Sequence, residues 1–358
     1  MQYKYNWFKP YKDLSQKNFF PKDLMMKKTM GKYTLNLENN LKKILKVKHV
    51  ILTTSGTSAL MMAFLALEKK KIICTNLTWI ATINPSLILG SKIFLVDTEK
   101  KSQKVDFEKL NSLIKKIKPD VVILVHLSGE IVINKEFLDL KKKYAFKVIE
   151  DAAQGLFNKY DDGDYCGTKF EIGCFSLSIT KIINMIYGGF CVTNSDKIAK
   201  KLRTIRNNGV NARPEYAKFE LPTSKGLNLK PSDIHAYVGL QSLKKKKIII
   251  EKVKKIYELY EKRLKNKKIK LLNKKSKALS IYPSVIIDNV KRFTSYCNKH
   301  KIQIHYGLRC LSQSSELKAS EKNFPNSIYL SKNLIRLPCG PGYDLNDIQK
   351  ITNVLNKY

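Results

Sequence analysis

The sequence predicts an α/β protein, with a mostly parallel central sheet covered by helices and a smaller C-terminal α+β unit. Three observations carry that expectation. From about residue 48 short apolar runs alternate with amphipathic helical patterns. The runs are apolar throughout, as strands buried on both faces are. Beyond residue 233 the alternation gives way to a long helical stretch and then mixed short elements. At about 150 residues per domain, 358 residues suggest two domains. The boundary is placed in the long helix, giving residues 1–240 and 241–358.

The elements follow in order. His49 to Thr53 reads as a strand, and Ser58 to Leu67 as a helix burying Ala, Leu and Met. Lys71 to Cys74 and Lys92 to Val96 are further strands, the latter ending at Asp97. Phe107 to Ile117 spaces Leu110, Leu113, Ile114 and Ile117 as one helix face does. Val121 to Val125 is a fully apolar strand, followed by a helix over Lys135 to Lys143. Phe146 to Ile149 is a strand that ends at Glu150-Asp151. The helical stretch from Asp233 to about Leu264 contains the lysine run 244–247, where it can break. Ser280 to Asp288, Lys301 to Tyr306 and Asn333 to Leu337 read as strands. Val290 to His300 and Asp344 to Asn356 read as helices.

Composition narrows the function classes. With 67 basic and 30 acidic residues the net charge is +37. Only seven of the basic residues are arginines, so 60 are lysines. Nucleic-acid readers favour the planar, forked guanidinium, and functional basic patches are clustered rather than diffuse. Lysine spread along a chain rich in Ile and Asn points to codon bias, so no nucleic-acid partner is expected. The run 244–247 reads as a solvated face that could also attract a polyanion. Seven cysteines without a CxxC pair fit thiols in a reducing compartment, and five scattered histidines give no zinc pattern, so no metal is expected. No apolar run of about 18 residues predicts a spanning helix. The first residues lack a secretory core, so a cytoplasmic protein with no membrane partner is expected.

Three segments carry chemistry. In Thr53-Thr54-Ser55-Gly56-Thr57-Ser58 a strand ends, a glycine follows and hydroxyl residues open a helix. Free amides and the positive end of a helix dipole suit a phosphate there. No GK[ST] follows, and an ordinary Ser/Thr cap explains the segment alone equally well. In Val148-Ile149-Glu150-Asp151-Ala152-Ala153-Gln154 two carboxylates sit at a strand's carboxyl end, where open α/β sheets place ligands. One could pair with a ring cation; a helix cap is the alternative. In Gly173 to Lys181, closed by Gly188-Gly189, a lysine follows an apolar, hydroxyl-bearing strand. Partial desolvation there would lower its pKa and make it a nucleophile toward carbonyls.

The order of these segments resembles that of fold-type-I pyridoxal-phosphate enzymes, and more closely the DegT/StrS family of sugar aminotransferases. The residues that carry the resemblance are Ser55 to Leu60, Thr78-Trp79-Ile80-Ala81-Thr82, His126-Leu127-Ser128-Gly129 and Glu150 to Gln154. Phe175-Ser176 through Lys181 to Gly188-Gly189, Arg206-Asn207-Asn208-Gly209, Gly226-Leu227-Asn228 and Leu337-Pro338 complete it, over roughly residues 30 to 358.

The resemblance implies a fold-type-I transferase whose Lys181 carries pyridoxal 5'-phosphate and shuttles protons. It implies that Asp151 pairs with the ring nitrogen, that Gln154 bonds the phenolic oxygen, and that Trp79 stacks on the ring. Gly56, Thr57 and Ser176 would hold the phosphate. Asn228 would reach the cofactor of a neighbouring subunit, making the active unit a homodimer. The implied substrates are glutamate and a nucleotide-linked keto sugar of polysaccharide biosynthesis or secondary metabolism. Arg309 and Tyr306 are candidates for substrate binding. The sequence departs from the family pattern at Ile182, Tyr187, Pro231, Tyr237, Arg309 and Cys310, more around the substrate side than the cofactor. Three alternatives remain at this point: a sugar dehydratase of the same family, which carries histidine where Lys181 stands; a non-catalytic cofactor-binding regulator; and a nucleic-acid binder, which steep salt dependence would reveal.

Overall fold

The computed structural model describes residues 3–9, 21, 24, 30–130, 133–211, 220–272, 278–317 and 319–358. Its elements in chain order are α1 (Lys32–Leu45), β1 (His49–Thr53), α2 (Gly56–Leu67), β2 (Lys71–Thr75), α3 (Asn84–Ile88), β3 (Lys92–Val96), α4 (Phe107–Ile117), β4 (Val121–Val125), α5 (Lys135–Tyr144), β5 (Lys147–Asp151), β6 (Ile172–Ser176), β7 (Gly189–Thr193) and α6 (Asp196–Arg206). Then follow α7 (Asp233–Lys244), α8 (Lys246–Arg263), β8 (Ile269–Leu271), β9 (Ser284–Ile287), α9 (Val290–Lys299), β10 (His305–Tyr306), α10 (Pro325–Asn333), β11 (Leu334–Arg336) and α11 (Leu345–Asn356). The expected long helix is therefore two, broken at the lysine run.

The first seven strands form one sheet in the order β1-β7-β6-β5-β4-β2-β3. Strands β3, β2, β4, β5 and β6 pair in parallel, while β7 runs antiparallel between β6 and β1. Side chains alternate across this sheet, as the two-residue period requires. Ile72, Cys74, Ile123 and Ile149 pack with α2 and α6. Ile73, Val122, Leu124 and Val148 pack on the other face with Leu110 and Ile114 of α4 and Phe137 of α5. Both faces are covered, which is why these strands read as unbroken apolar runs.

Helix α1, which the apolar periodicity did not foretell, has only Leu37, Leu41 and Leu45 as a buried apolar stripe. Its other buried positions are polar and satisfied by remote groups. Glu38 Oε1 accepts from Arg206 Nη1 (2.7 Å) and the Leu52 amide (2.9 Å), tying α1 to α6 and β1. Asp233 Oδ1, at the start of α7, accepts from the amides of Gly31 and Thr34, both at 3.0 Å, and caps α1 from outside.

The second sheet, β10-β11-β9-β8, is antiparallel throughout. The strand expected over Lys301–Tyr306 reduces to β10, because Ile302 pairs instead with Tyr5 of an N-terminal arm, residues 3–9. Further along the arm, Phe8 pairs with Cys339. No helix among the described residues is long and apolar enough to cross a membrane.

Candidate functional site

The carboxyl ends of β1, β4, β5 and β6 lie at one edge of the large sheet. Gly189 opens β7 opposite both Thr53 and Ser176, which brings the ends of β1 and β6 together. Along that edge lies a cavity of about 370 Å³, walled on its far side by Tyr282, His305 and Arg336 from the second sheet's region.

At one end of the cavity, β1 gives way to α2. Ser55 caps α2 by accepting from the Ser58 amide (3.0 Å). Gly56 and Thr57 begin the helix, so their amides belong to the first turn, which has no intrahelical acceptors. The backbone here is packed too closely for side chains. A Cβ on Gly56 would stand 2.9 Å from the Ser176 Cβ, and one on Gly189 would stand 2.4 Å from the Ser55 carbonyl oxygen. The result is an anion cradle of amides and hydroxyls.

At the middle, Asp151 ends β5. Its Oδ2 accepts from Thr82 Oγ1 (2.7 Å) and its Oδ1 from the Ala153 amide (3.2 Å). Burial pushes this carboxyl above its usual range, against the pull of those two donors and of Lys181. Glu150, its neighbour in the strand, is spent elsewhere. It accepts from Tyr160 Oη (2.6 Å) and from the amides of Gly167, Lys169 and Phe170. Of the two carboxylates, only Asp151 lines the cavity. Gln154 Oε1 accepts from the Ser128 amide (2.9 Å), which leaves the side-chain NH2 as a donor on the cavity side.

Lys181 follows β6 in a turn closed by its own amide on the Ser178 carbonyl (3.0 Å). Its Nζ lies 5.6 Å from the centroid of the Tyr282 ring. Tyr282 braces the same turn, its hydroxyl lying 3.0 Å from the Thr180 carbonyl and 3.1 Å from Thr180 Oγ1. Trp79 stands at the cavity edge, 60% exposed.

The structure thus brings Gly56, Thr57, Trp79, Asp151, Gln154, Ser176 and Lys181 to one cavity. It does not bring Asn228, Tyr306 or Arg309 there. Asn228 is exposed and bridges to Asn207. Arg309 is exposed as well. Tyr306 is excluded by strand alternation: His305 pairs across with Arg336, both on the cavity, so the next residue faces away and bonds Thr294 Oγ1 (3.3 Å).

Sequence reasoning missed Trp7, Tyr282, His305 and Arg336. Arg336 is the most telling. It is buried, its guanidinium lies 4.6 Å from the Tyr282 centroid, and its Nε and Nη2 have no partner among the described residues. Burial lowers its pKa, opposed by Tyr282 and Cys339. One signal was available: an arginine in an apolar strand, in a chain whose cations are nearly all lysine.

Comparison with known proteins places this cavity in context. A family profile described as the DegT/DnrJ/EryC1/StrS aminotransferase family matches residues 24–356. The chain is 27% identical over 346 residues to a UDP-4-amino-4,6-dideoxy-N-acetyl-beta-L-altrosamine transaminase of Campylobacter jejuni, covering 91% of this chain and 90% of that protein. It is 27% identical to GDP-perosamine synthase of Vibrio cholerae, with 92% and 91% covered. Among solved structures, Helicobacter pylori PseC, an aminotransferase of pseudoaminic acid biosynthesis, superposes with a TM-score of 0.86 at 22% identity, over 100% of this chain and 99% of that one.

Proposed function

The chain belongs to the DegT/DnrJ/EryC1/StrS aminotransferase family, and we propose that it moves an amino group from glutamate to the keto carbon of a nucleotide-linked sugar. The observation that carries this is the convergence of Lys181, Asp151 and the Gly56–Thr57 cradle on one cavity. The transaminase relatives of similar length support the choice of acceptor class.

The residues present fit pyridoxal 5'-phosphate, the cofactor of this family. Only a glycine at 56 lets Ser176 close on the start of α2, the buried Asp151 accepts from neutral donors alone, and the Gln154 NH2 is left free while its oxygen is spent on Ser128. When bound, the cofactor supplies an electron-poor ring that takes up the electron pair left as a C–H proton departs. This chain's residues do the rest. Gly56, Thr57 and Ser176 hold the phosphate. Asp151 keeps a proton on the ring nitrogen. Gln154 donates to the phenolic oxygen. Trp79 covers a ring face and excludes water. Lys181 Nζ would take the proton from the donor's α-carbon and return it two atoms away, beyond the nitrogen.

Arg336 anchors the donor. An amino acid's carboxylate lies one carbon from the reacting amine, so it must bind beside Lys181. A nucleotide's diphosphate is separated from the ketone by the sugar ring and binds further out. Arg336 shares the Tyr282 ring with Lys181 and has unspent donors. We take residues 1–240 as the cofactor-binding unit and 241–358 as the smaller unit. Asn228 serves a second copy's site in a homodimer that works in the cytoplasm. The dehydratase reading is disfavoured by Lys181, where those enzymes carry histidine.

The test is an absorption spectrum of protein reconstituted with the cofactor. Wild type gains a visible band that glutamate bleaches; Lys181→Ala gains none that glutamate bleaches and turns over no keto sugar. Full activity in Lys181→Ala, or a wild-type band indifferent to glutamate, removes the proposal. UDP- and GDP-linked keto sugars then resolve the acceptor.

A further inference from the structure

Residues 3–9 run along the second sheet and are bonded on both sides. The amides of Lys4 and Tyr5 donate to the Lys301 carbonyl (3.2 and 3.1 Å), and the Gln303 amide donates to the Tyr5 carbonyl (2.8 Å). The Cys339 amide donates to the Trp7 carbonyl (2.8 Å), and the Trp7 amide donates to Gln303 Oε1 (2.7 Å). The Trp7 backbone is therefore fixed at both its N–H and its C=O, and its indole becomes part of the cavity wall.

The indole is held as firmly. It stacks on the His305 imidazole, centroids 4.4 Å apart at 30°, and on the Tyr282 ring at 5.7 Å and 20°. Nε1 is shielded from solvent, yet no described residue accepts its hydrogen. A buried N–H without an acceptor costs about 1–3 kcal/mol. Here the orphan sits in the same wall as the unpartnered Nε and Nη2 of Arg336, with the Tyr282 ring as common support. A carboxylate offers about four lone-pair sites. An arginine fork fills two and leaves room for a third donor.

We propose that Trp7 is a specificity-determining residue: its Nε1 donates to the carboxylate of the amino donor that Arg336 binds. The N-terminal arm is then part of the substrate site. This rests on the donor-anchoring reading of Arg336. A carboxylate is favoured over the diphosphate of the acceptor by proximity to the amine: Trp7 and Lys181 flank one ring, that of Tyr282, at 5.7 and 5.6 Å from its centroid.

The experiment uses the holoenzyme and glutarate, a dicarboxylate with no amine to react, with UDP as the second probe. Binding of each is titrated to wild type, Trp7→Phe and Arg336→Lys. Phenylalanine keeps one six-membered ring in the stack and deletes the pyrrole ring with its N–H. The expected result for Trp7→Phe is glutarate binding weakened about three- to tenfold, with UDP binding unchanged. Unchanged glutarate binding, or a loss confined to UDP, overturns the proposal. Arg336→Lys separates the two layers. If it leaves glutarate binding intact, the donor-anchoring reading falls. If it weakens glutarate while Trp7→Phe does not, only the role of Trp7 falls. A third measurement needs no change at Trp7. The chain has two tryptophans, so Trp79→Phe assigns the indole N–H signals. The Trp7 signal of wild type should shift downfield with glutarate, and a signal that stays put refutes the hydrogen bond.

Discussion

Lys181 and Arg336 lie over one aromatic ring, that of Tyr282, at 5.6 and 4.6 Å from its centroid. The ring keeps the two cations at a fixed spacing, so an anion bound by the guanidinium is delivered to the amine. Arg336→Ala should raise the KM for glutamate roughly 10- to 100-fold, the worth of charge-assisted hydrogen bonds. The KM for the keto sugar should change little. Steady-state kinetics with each substrate varied in turn checks this.

Asp151→Asn should separate stability from activity. The folded carboxyl titrates above its unfolded value of 3.8. Such a group favours the fold when protonated, and that benefit fades as pH rises from 3.8 through the raised folded value. The amide removes a buried charge at neutral pH. Cofactor-free Asp151→Asn should thus melt at or above the wild-type temperature at pH 7, while turnover falls by at least about a thousandfold. A clearly lower melting temperature would contradict the account of Asp151.

Asp97 shows the opposite sign. It sits just past β3, and burial alone would raise its carboxyl. The Ser327 hydroxyl (2.6 Å) and amide (2.8 Å) at the start of α10, with the Asn326 amide, more than reverse this. A lowered carboxyl stabilises the fold above its unfolded value of 3.8 and loses that contribution as pH falls through the folded value. Asp97→Asn should cost about 1–3 kcal/mol at pH 7, and the gap from wild type should close below about pH 4. Denaturant melts across pH 3–7 test it.

Gly189→Ala should act through backbone alone. The added Cβ would stand 2.4 Å from the Ser55 carbonyl oxygen, a contact no side-chain rotation relieves. The expected cost is about 1–3 kcal/mol, with weaker cofactor retention because the cradle is forced apart. Alanine at Gly163, whose Cβ would meet nothing within 4 Å, is not expected to loosen the cofactor.

The legible parts of this protein are those where one segment supplies both element and chemistry. The loop after β1, the Asp151 strand end and the Lys181 turn each read from consecutive residues and reached the same cavity. What escaped was assembled from distant pieces. Helix α1 has a thin apolar stripe because its buried Glu38 is matched by Arg206, 168 positions away. Strand β8 is three residues long and pairs with β9. Arg336 and Trp7 acquire meaning only beside Tyr282. Tyr306 went the other way: adjacent to a cavity residue in sequence, it faces outward because strands alternate.

The pairing of Tyr5 with Ile302 and Phe8 with Cys339 sets an order on biosynthesis. The arm emerges from the ribosome first, and its partners follow some 300 residues later. At about 5–20 residues per second, that interval is roughly 15 to 60 s. Throughout it the segment Tyr5-Asn6-Trp7-Phe8 lacks these strand partners, while β5, which carries Asp151, and β6, which leads to Lys181, can already pair. The cofactor end of the cavity can therefore form on a nascent chain before its far wall exists, and the last event of maturation is an aromatic strap closing over a lobe already built.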